Sequence, residues 1–247
     1  ISTPGISPIK NGICQIKGFG DRPQPYAQDI YLGNSGTSMR LLAGVAALGA
    51  RQYCLTGDSR MCLRPMKALI DALKLLGIHA EGCDKKGNPP VCICGGSRQG
   101  GPISLDCSTS SQYLSSLLMI GPFMENGLEI QLQGPPVSSP YIDLTLDVMK
   151  KFKVEVHRIK ADYYKVSPNQ KYNPGTFRVE PDLSNAGYFW AIGAVTGKMI
   201  YVRNISPNSL QGDLKQVHIL EKMGCTISIK DNEIGVCGRD LIGIDID

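Results

Sequence analysis

Apolar and polar positions along this chain repeat one pattern three times. Each copy begins with small hydroxyl, amide or glycine residues that lead into a helix of small and apolar residues, at residues 33–42, 108–114 and 183–190. A short apolar strand is predicted after each helix, at residues 52–55, 128–132 and 199–202.

A second predicted helix follows each strand, with apolar residues at helical spacing. In successive copies these residues are Met66, Leu69, Leu73 and Leu76; Leu144, Val148 and Phe152; and Val217, Leu220 and Met223. The second helix breaks at once into a strand, with glycine at the junction in the first and third copies. A closing strand is predicted at residues 91–94, 164–166 and 234–237.

The repeated unit is therefore β-α-β-α-β-β or a permutation of it, which predicts an α/β protein with mixed sheets. Any α/β protein alternates helices and strands, but that alternation does not explain serine-rich helix starts that recur. Self-similarity at a fixed period is the mark of a repeat architecture.

Composition narrows the class of ligand. Hydrophobic residues make up 42% of the 247 residues and charged residues 19%, and no apolar run approaches the roughly 18 residues of a membrane span. The formal net charge of +4 suits small anionic ligands. Dense clusters of Lys and Arg are missing, so neither a nucleic-acid partner nor a membrane partner is expected.

The nine cysteines are scattered through apolar segments and favour free thiols in a reducing cytoplasm over a disulfide framework. Cys92 and Cys94 alternate along one predicted strand and share a face, with Cys83 nearby in sequence. A zinc site needs a second ligand pair at a matching spacing, and the sequence has none, so no metal is predicted.

The three helix starts are the first candidate sites. Serine, asparagine and glycine at these positions are ordinary N-capping residues. A helix N-terminus that its own side chains leave open instead offers free N–H groups and partial positive charge to phosphate or carboxylate. Residues 108–112 carry more hydroxyls than one cap can use, and equivalent starts in a repeat fold could converge.

Arginine supplies the other half of an anion site. Arg60 and Arg64 lie in a loop that ends at Pro65, a residue suited to the first turn of a helix. Arginine fixed at a helix entry can grip a carboxylate or phosphate with two hydrogen bonds. A solvated loop arginine is the alternative.

Several of these segments resemble one family. Residues 33–40, which read Gly-Asn-Ser-Gly-Thr-Ser-Met-Arg, are similar to the Gly-Asn-Ala-Gly-Thr-Ala-Met-Arg signature of the EPSP synthase (3-phosphoshikimate 1-carboxyvinyltransferase) family. The arginine loop and the helix after it resemble the second signature of that family. Further matches occur in order at residues 110–119, 140–146 and 208–213, so the resemblance covers essentially the entire chain.

The resemblance implies enolpyruvate transferase domains, built from the repeated unit. It implies transfer of the enolpyruvyl group of phosphoenolpyruvate to the 5-hydroxyl of shikimate 3-phosphate, with release of phosphate, in aromatic amino-acid biosynthesis. No cofactor is expected, and the full-length enzyme should be a cytoplasmic monomer and a target of the herbicide glyphosate.

Site residues carry over position by position. The resemblance implies that Ser110, Ser111 and Ser138 hold shikimate 3-phosphate and that Tyr141 lies against it. Gln112 matches a residue that reaches both substrates. Gly36 and Arg64 match groups that contact phosphoenolpyruvate, through close backbone approach and through charge respectively.

The chain departs from the family pattern at two places. Leu41 replaces a proline that often follows Met-Arg, so ordinary glyphosate sensitivity is not assumed. Residues 181–185, Pro-Asp-Leu-Ser-Asn, replace a more usual Gly-Asp-Ala-Ser-Ser, a change expected to be structural.

The resemblance also implies a chain truncated at both ends. Residues 1–179 would form most of the first domain, with two full repeat units and part of a third. Residues 180–247 would form one unit of the second domain. No catalytic residue is assigned, because the essential lysine and the proton-transfer groups would lie outside the chain. Asp58 and Asp143 are expected to cap helices or turns.

Two other functions remain as alternatives. A carboxyvinyltransferase acting on UDP-N-acetylglucosamine would place a reactive cysteine five residues before the matching arginine. Here that position is Ser59, whereas Cys62 lies two residues before Arg64. A non-catalytic repeat module that binds partners on its faces would need an exposed apolar stripe, which the sequence does not show.

Overall fold

Two complete copies of the repeat form the first part of the computed structural model, which describes residues 9–20, 22–24 and 29–246. The first copy contains β1 (Asp29–Tyr31), α1 (Gly36–Ala47), β2 (Gln52–Thr56), α2 (Lys67–Leu75), β3 (His79–Gly82) and β4 (Val91–Cys94). Its sheet has the order β1-β2-β4-β3, with β1 parallel to β2 and the other pairs antiparallel.

The second copy repeats this topology. It contains β5 (Gly101–Leu105), α3 (Gln112–Ile120), β6 (Leu128–Leu132), α4 (Pro140–Lys151), β7 (Val156–Lys160) and β8 (Tyr163–Val166). The sheet order β5-β6-β8-β7 again has one parallel pair followed by two antiparallel pairs. The predicted α/β class with mixed sheets, and the β-α-β-α-β-β unit, are confirmed.

The third copy is shorter in the described residues. It contains α5 (Leu183–Thr196), β9 (Ile200–Arg203), α6 (Lys215–Lys222), β10 (Thr226–Lys230) and β11 (Glu233–Cys237). The sheet order is β10-β11-β9, and within the described segment 174–182 no strand pairs alongside β9. The parallel edge strand of the other two copies is therefore the element that this sheet lacks here.

The chain divides into two compact units, residues 1–173 and 174–247. The first holds the first two repeats and the second holds the third repeat. This division falls six residues before the boundary expected from the sequence, at 179. The assignment of each unit to a domain of a longer enzyme stays a prediction.

Within the first unit, the first helices of the two repeats pack directly together. The Gly44 N–H of α1 donates to Ser116 Oγ of α3 at 3.1 Å, and that hydroxyl donates to the Arg40 carbonyl at 2.7 Å. A Cβ at Gly44 would lie 2.5 Å from Ser116 Oγ, so glycine is what allows the close approach. This contact brings the N-terminal regions of α1 and α3 side by side.

The second unit has its own core around Trp190 of α5, which is fully buried and donates Nε1–H to the Ile234 carbonyl at 3.1 Å. The predicted apolar residues Val217 and Leu220 of α6 join this core. The other face of α5 is exposed, so the helix is buried on one side only.

The second helix of each repeat was predicted to bury one apolar face. The predicted face is confirmed for α2 in the first copy and is wrong for α4 in the second. Leu69 and Leu73 are fully buried in α2, but α4 buries Ile142 and Met149 while Leu144 and Val148 are only half-buried. The packed row of α4 contains a polar residue, Thr145, whose hydroxyl lies 2.8 Å from Ser115 Oγ of α3. Because this buried row contains a hydrogen-bonded threonine, the spacing of apolar residues alone does not predict it.

The expectation that all nine cysteines are free thiols is wrong for two of them. Cys54 of β2 and Cys92 of β4 are directly opposite in the antiparallel pairing, and they form a disulfide with their Cα atoms 4.2 Å apart. The sequence places them 38 residues apart, so only the strand register reveals the pair. The prediction that Cys92 and Cys94 share a strand face is confirmed by the alternating burial of β4.

Candidate functional site

At the start of α1, a glycine lies beneath two arginines. Ser35 caps the helix by accepting from the Ser38 N–H at 3.3 Å. Gly36 is buried, and a Cβ at this position would lie 2.5 Å from Nη1 of Arg64 and 3.7 Å from Nη1 of Arg40. Any larger residue would push the Arg64 guanidinium away, so glycine brings two cations to the helix start.

The loop that carries Arg64 is anchored at both ends. Asp58 Oδ1 accepts from the Met61 N–H at 2.8 Å and so caps a 3-10 turn, which confirms its predicted structural role. Arg64 is the residue that ends this turn. Next to it, the Pro65 carbonyl accepts from the Tyr113 hydroxyl of α3 at 2.6 Å. The two repeats therefore fix the arginine together.

The start of α3 is rich in hydroxyls that face inward. Ser110 is 6% exposed and Ser111 is 2% exposed. Ser110 Oγ accepts from the Gln112 N–H at 3.2 Å, and Ser111 Oγ donates to the Ser138 carbonyl at 3.4 Å. Ser111 makes no side-chain cap, and no acidic residue lies in the first turn of either α1 or α3. Both helix starts therefore keep their partial positive charge.

Gln112 joins the two helix starts. Its Oε1 accepts from Nη1 of Arg40 at 2.7 Å, and its Nε2 donates to Oγ1 of Thr37 at 2.8 Å. The Arg40 guanidinium also lies over the Tyr113 ring, 5.5 Å from its centroid. Gly36, Arg64 and Gln112 thus share one neighbourhood.

Arg40 and Thr37 also belong to this candidate site, although neither was predicted as a site residue. Both lie inside the resemblance motif at residues 33–40, and Arg40 is one helical turn after Gly36. Their link to Gln112 spans 72 and 75 residues. The motif was therefore the only signal, since no local pattern predicts a contact between repeats.

Ser138 and Tyr141 extend the site along the start of α4. Ser138 is exposed and has a left-handed φ of 53°, which is uncommon for a residue other than glycine. Its carbonyl is the group that Ser111 contacts. Tyr141 follows on the first turn of α4 and is 45% exposed. No described hydrogen bond links the Tyr141 side chain to the other predicted site residues.

The third helix start differs in chemistry from the first two. Asp182 caps α5 by accepting from the Ser184 N–H at 2.9 Å, and Gln211 Oε1 accepts from the Leu183 N–H at 3.0 Å. A carboxylate therefore already occupies this N-terminus. Convergence of all three starts stays a prediction; the first two converge within the first unit.

Neighbouring ionisable groups have structural roles. Asp143 lies in the first turn of α4 and pairs with Arg158 at 3.2 Å. Burial raises the pKa of the Tyr113 hydroxyl, and Arg40 opposes that shift. Burial also raises the pKa of the Cys107 thiol to about 11, which makes it a poor nucleophile at neutral pH.

Two absences hold for the part of the chain that the structure describes. No group of three or more His, Cys, Asp or Glu side chains there is placed to hold a metal ion. No helix among residues 9–20, 22–24 and 29–246 has the length and apolar character that crossing a bilayer requires.

Comparison with known proteins identifies the family. A family model described as EPSP synthase (3-phosphoshikimate 1-carboxyvinyltransferase) matches residues 7–247. The chain is 40% identical to the 3-phosphoshikimate 1-carboxyvinyltransferase of Xenorhabdus nematophila, with 95% of this chain and 55% of that protein covered. It is 42% identical to the protein of the same name from Vibrio atlanticus, with 95% of this chain and 56% of that protein covered. The chain thus spans about half the length of these relatives.

Solved structures agree in fold. The EPSP synthase of Acinetobacter baumannii superposes with a TM-score of 0.79 at 27% identity, covering 99% of this chain and 56% of that one. The enolpyruvyl transferase NikO of Streptomyces tendae superposes over 70% of this chain and 42% of its own, with a TM-score of 0.53 at 11% identity, a likeness of fold alone. With its repeats, its paired helix starts and a family match across residues 7–247, the chain belongs to the EPSP synthase family.

Proposed function

We propose that this chain supplies the substrate-binding wall of an enzyme that transfers the enolpyruvyl group of phosphoenolpyruvate to the 5-hydroxyl of shikimate 3-phosphate. In this reaction the hydroxyl adds across the double bond of phosphoenolpyruvate, and elimination then releases phosphate. Both substrates are anions. The observation that carries the proposal is the pairing of two helix starts that lack acidic residues with two arginines around Gly36 and Gln112.

Each predicted residue takes a role that fits its position. The starts of α3 and α4, which the contact of Ser111 with the Ser138 carbonyl joins, carry the residues that we assign to shikimate 3-phosphate: Ser110, Ser111, Ser138 and Tyr141. Gly36 and Arg64 receive phosphoenolpyruvate, because a guanidinium over a glycine offers charge at close approach. Gln112 lies between the two groups and serves both substrates.

The proton-transfer groups belong to the other half of the enzyme in this proposal. The addition needs a base for the hydroxyl and an acid for the methylene carbon. The predicted site residues supply charge and hydrogen bonds but neither of these groups. The chain alone is therefore expected to bind weakly and to show no turnover.

The expected cellular setting is the cytoplasm, with the full-length enzyme a monomer that uses small-molecule substrates and no nucleic acid. Seven of the nine cysteines lie outside the Cys54–Cys92 disulfide, which agrees with a reducing compartment. The disulfide argues against that compartment. Trapping thiols in intact cells decides between them, because nine alkylated cysteines would indicate a reducing compartment, whereas seven would show that the Cys54–Cys92 disulfide forms in the cell.

The proposal is tested with this chain and with a chimera. In the chimera, this chain replaces the matching 55% of the Xenorhabdus nematophila relative. Calorimetry on the chain alone should give a shikimate 3-phosphate Kd of about millimolar or weaker, since each missing charged hydrogen bond costs about 1.5–3 kcal/mol. The chimera should release phosphate from the two substrates together, and the chain alone should not. Micromolar binding by the chain, or a folded chimera without turnover, would contradict the proposal.

Arg64 and Arg60 form a matched pair for the phosphoenolpyruvate role. In the chimera, Arg64→Ala should remove a cationic clamp and so reduce kcat/KM. The reduction should correspond to a loss of about 2–4 kcal/mol of transition-state stabilisation. Arg60 is exposed in the same loop, so Arg60→Ala should change kcat/KM by less than about threefold. Equal kinetics for the two variants would remove Arg64 from the site.

A further inference from the structure

The side-chain amide of Gln112 can adopt two orientations that differ in chemistry. A flip of the amide exchanges a carbonyl acceptor for an NH₂ donor at the same place. In the proposed site an anion must meet the NH₂ group, because the carbonyl would repel it. Something must therefore select one orientation.

The two partners of Gln112 do not contribute equally to that choice. Thr37 offers a hydroxyl, which can either donate or accept, so it accommodates either orientation of the amide. Arg40 offers only donors, so its contact at 2.7 Å forces Oε1 of Gln112 toward the guanidinium. A charge-assisted hydrogen bond of this kind is also the stronger of the two.

Arg40 is itself held in place by contacts that do not involve substrate groups. Its guanidinium lies over the Tyr113 ring, and its carbonyl accepts from Ser116 Oγ at 2.7 Å. Its Nε is buried and has no hydrogen-bond partner among the described residues. An unpaired buried donor destabilises a fold, so an apolar side chain would serve packing better at this position.

We propose that Arg40 is a positioning residue that fixes the Gln112 amide with its NH₂ group toward the substrates. Nε2 keeps one N–H for Thr37 and has a second N–H that makes no hydrogen bond to the described residues. That second N–H is the donor presented to an anionic oxygen. The consequence for ligands rests on the proposed function, whereas the orientation of the amide does not.

The test separates orientation from binding by using two readouts on the full 247-residue chain. The first is the ¹⁵N NMR signal of the Gln112 NH₂ group, assigned from its loss in Gln112→Glu. Arg40→Gln, whose own amide can donate or accept, should increase hydrogen exchange of this group about tenfold. Arg40→Lys keeps a donor-only partner and should change it less than about threefold. The Gln170 NH₂ group, which donates to the Glu155 carbonyl at 2.9 Å, serves as the control signal.

The second readout is shikimate 3-phosphate affinity, measured by NMR titration of the same variants. Arg40→Gln should weaken binding about tenfold, or about 1.4 kcal/mol, and Arg40→Lys should weaken it less. Weaker binding with an unchanged Gln112 signal would overturn the proposal, because Arg40 would then act on the ligand directly. A changed signal in a chain that binds no substrate supports the positioning role and contradicts the proposed function.

A third variant covers the case in which changes at Arg40 prevent folding. Thr37→Val removes the hydroxyl that accepts from Nε2 and leaves the donor-only partner of Oε1 in place. One persistent set of Gln112 NH₂ signals in Thr37→Val supports selection by Arg40. Two sets of signals from flipped amides in that variant would overturn it.

Discussion

At the scale of single residues, the candidate site depends on backbone positions that tolerate little variation. Gly36 leaves room for the Arg64 guanidinium, and Ser138 adopts a left-handed φ of 53°. Strained or crowded positions of this kind collect at functional sites, where the surrounding fold maintains them. Substitutions at Gly36 and at Ser138 are therefore expected to change the stability of the fold and the binding of ligands to different extents.

Gly36→Ala should affect the site more than the fold. The added Cβ meets the far end of a flexible side chain, so Arg64 moves while α1 stays intact. We expect a melting temperature within a few degrees of wild type, because alanine also favours the helix by up to about 1 kcal/mol. In the chimera, KM for phosphoenolpyruvate should rise about tenfold, or about 1.4 kcal/mol. An unchanged KM would show that displacing the Arg64 guanidinium from its place over residue 36 does not affect phosphoenolpyruvate binding.

Ser138→Gly and Ser138→Ala distinguish backbone strain from the hydroxyl. Glycine adopts φ of 53° without penalty, so Ser138→Gly should be more stable than Ser138→Ala by about 1 kcal/mol in urea unfolding. Both variants lack the hydroxyl and should weaken shikimate 3-phosphate binding equally. If the alanine variant binds as well as wild type, the Ser138 hydroxyl has no role in the site.

At the scale of elements, the repeat explains why the same junctions recur. The turn after each second helix has a positive φ, at Gly77, Lys153 and Gly224. Lysine in the second copy adopts the conformation that glycine supplies in the other two. The strand pairings also repeat, and in the first copy they place Cys54 opposite Cys92.

The cysteines predict a defined thiol count. The denatured, unreduced chain should react with a thiol reagent at seven sites, and after reduction at nine. In the native chain Cys107 should be alkylated slowly at pH 8, because it is buried and its pKa is about 11. Its rate should rise when the chain is denatured. Nine reactive thiols before reduction would contradict the disulfide.

At the scale of the whole molecule, the second unit leaves apolar surface uncovered. Residues on one side of α5 are exposed, with Tyr188 72% and Val195 75% accessible, and Phe189 and Ile192 lie beside them. The structure thus shows an exposed apolar stripe on α5 that the sequence by itself did not show. Contiguous exposed apolar surface of this kind favours association with another surface.

Self-association of this chain should therefore depend on α5. Sedimentation should show larger species as concentration rises, and the double change Phe189→Lys with Val195→Lys should reduce them. Ile159→Lys is the matched control, because Ile159 is an exposed apolar residue on β7 of the first unit. If Ile159→Lys reduces association as much as the α5 variant, the face of α5 is not responsible.

Local sequence pattern determined most of the elements. The strands at 128–132 and 91–94 were predicted with the observed bounds. The repeated pattern also predicted the α/β class and located the serine-rich helix starts. Periodicity is encoded within a few residues, so it can be read directly from the chain. The predicted site residues came from the resemblance, and their roles remain proposals.

Tertiary structure alone decided how the repeats meet. The contact of Arg40 with Gln112 crosses 72 residues, the disulfide crosses 38, and the buried row of α4 was set by a threonine that bonds to α3. Each contact depends on register and on close packing between elements. No local pattern encodes these distances, because each contact arises only when separate elements pack. The contact of Arg40 with Gln112, for example, needs the close approach of α1 and α3 that Gly44 allows.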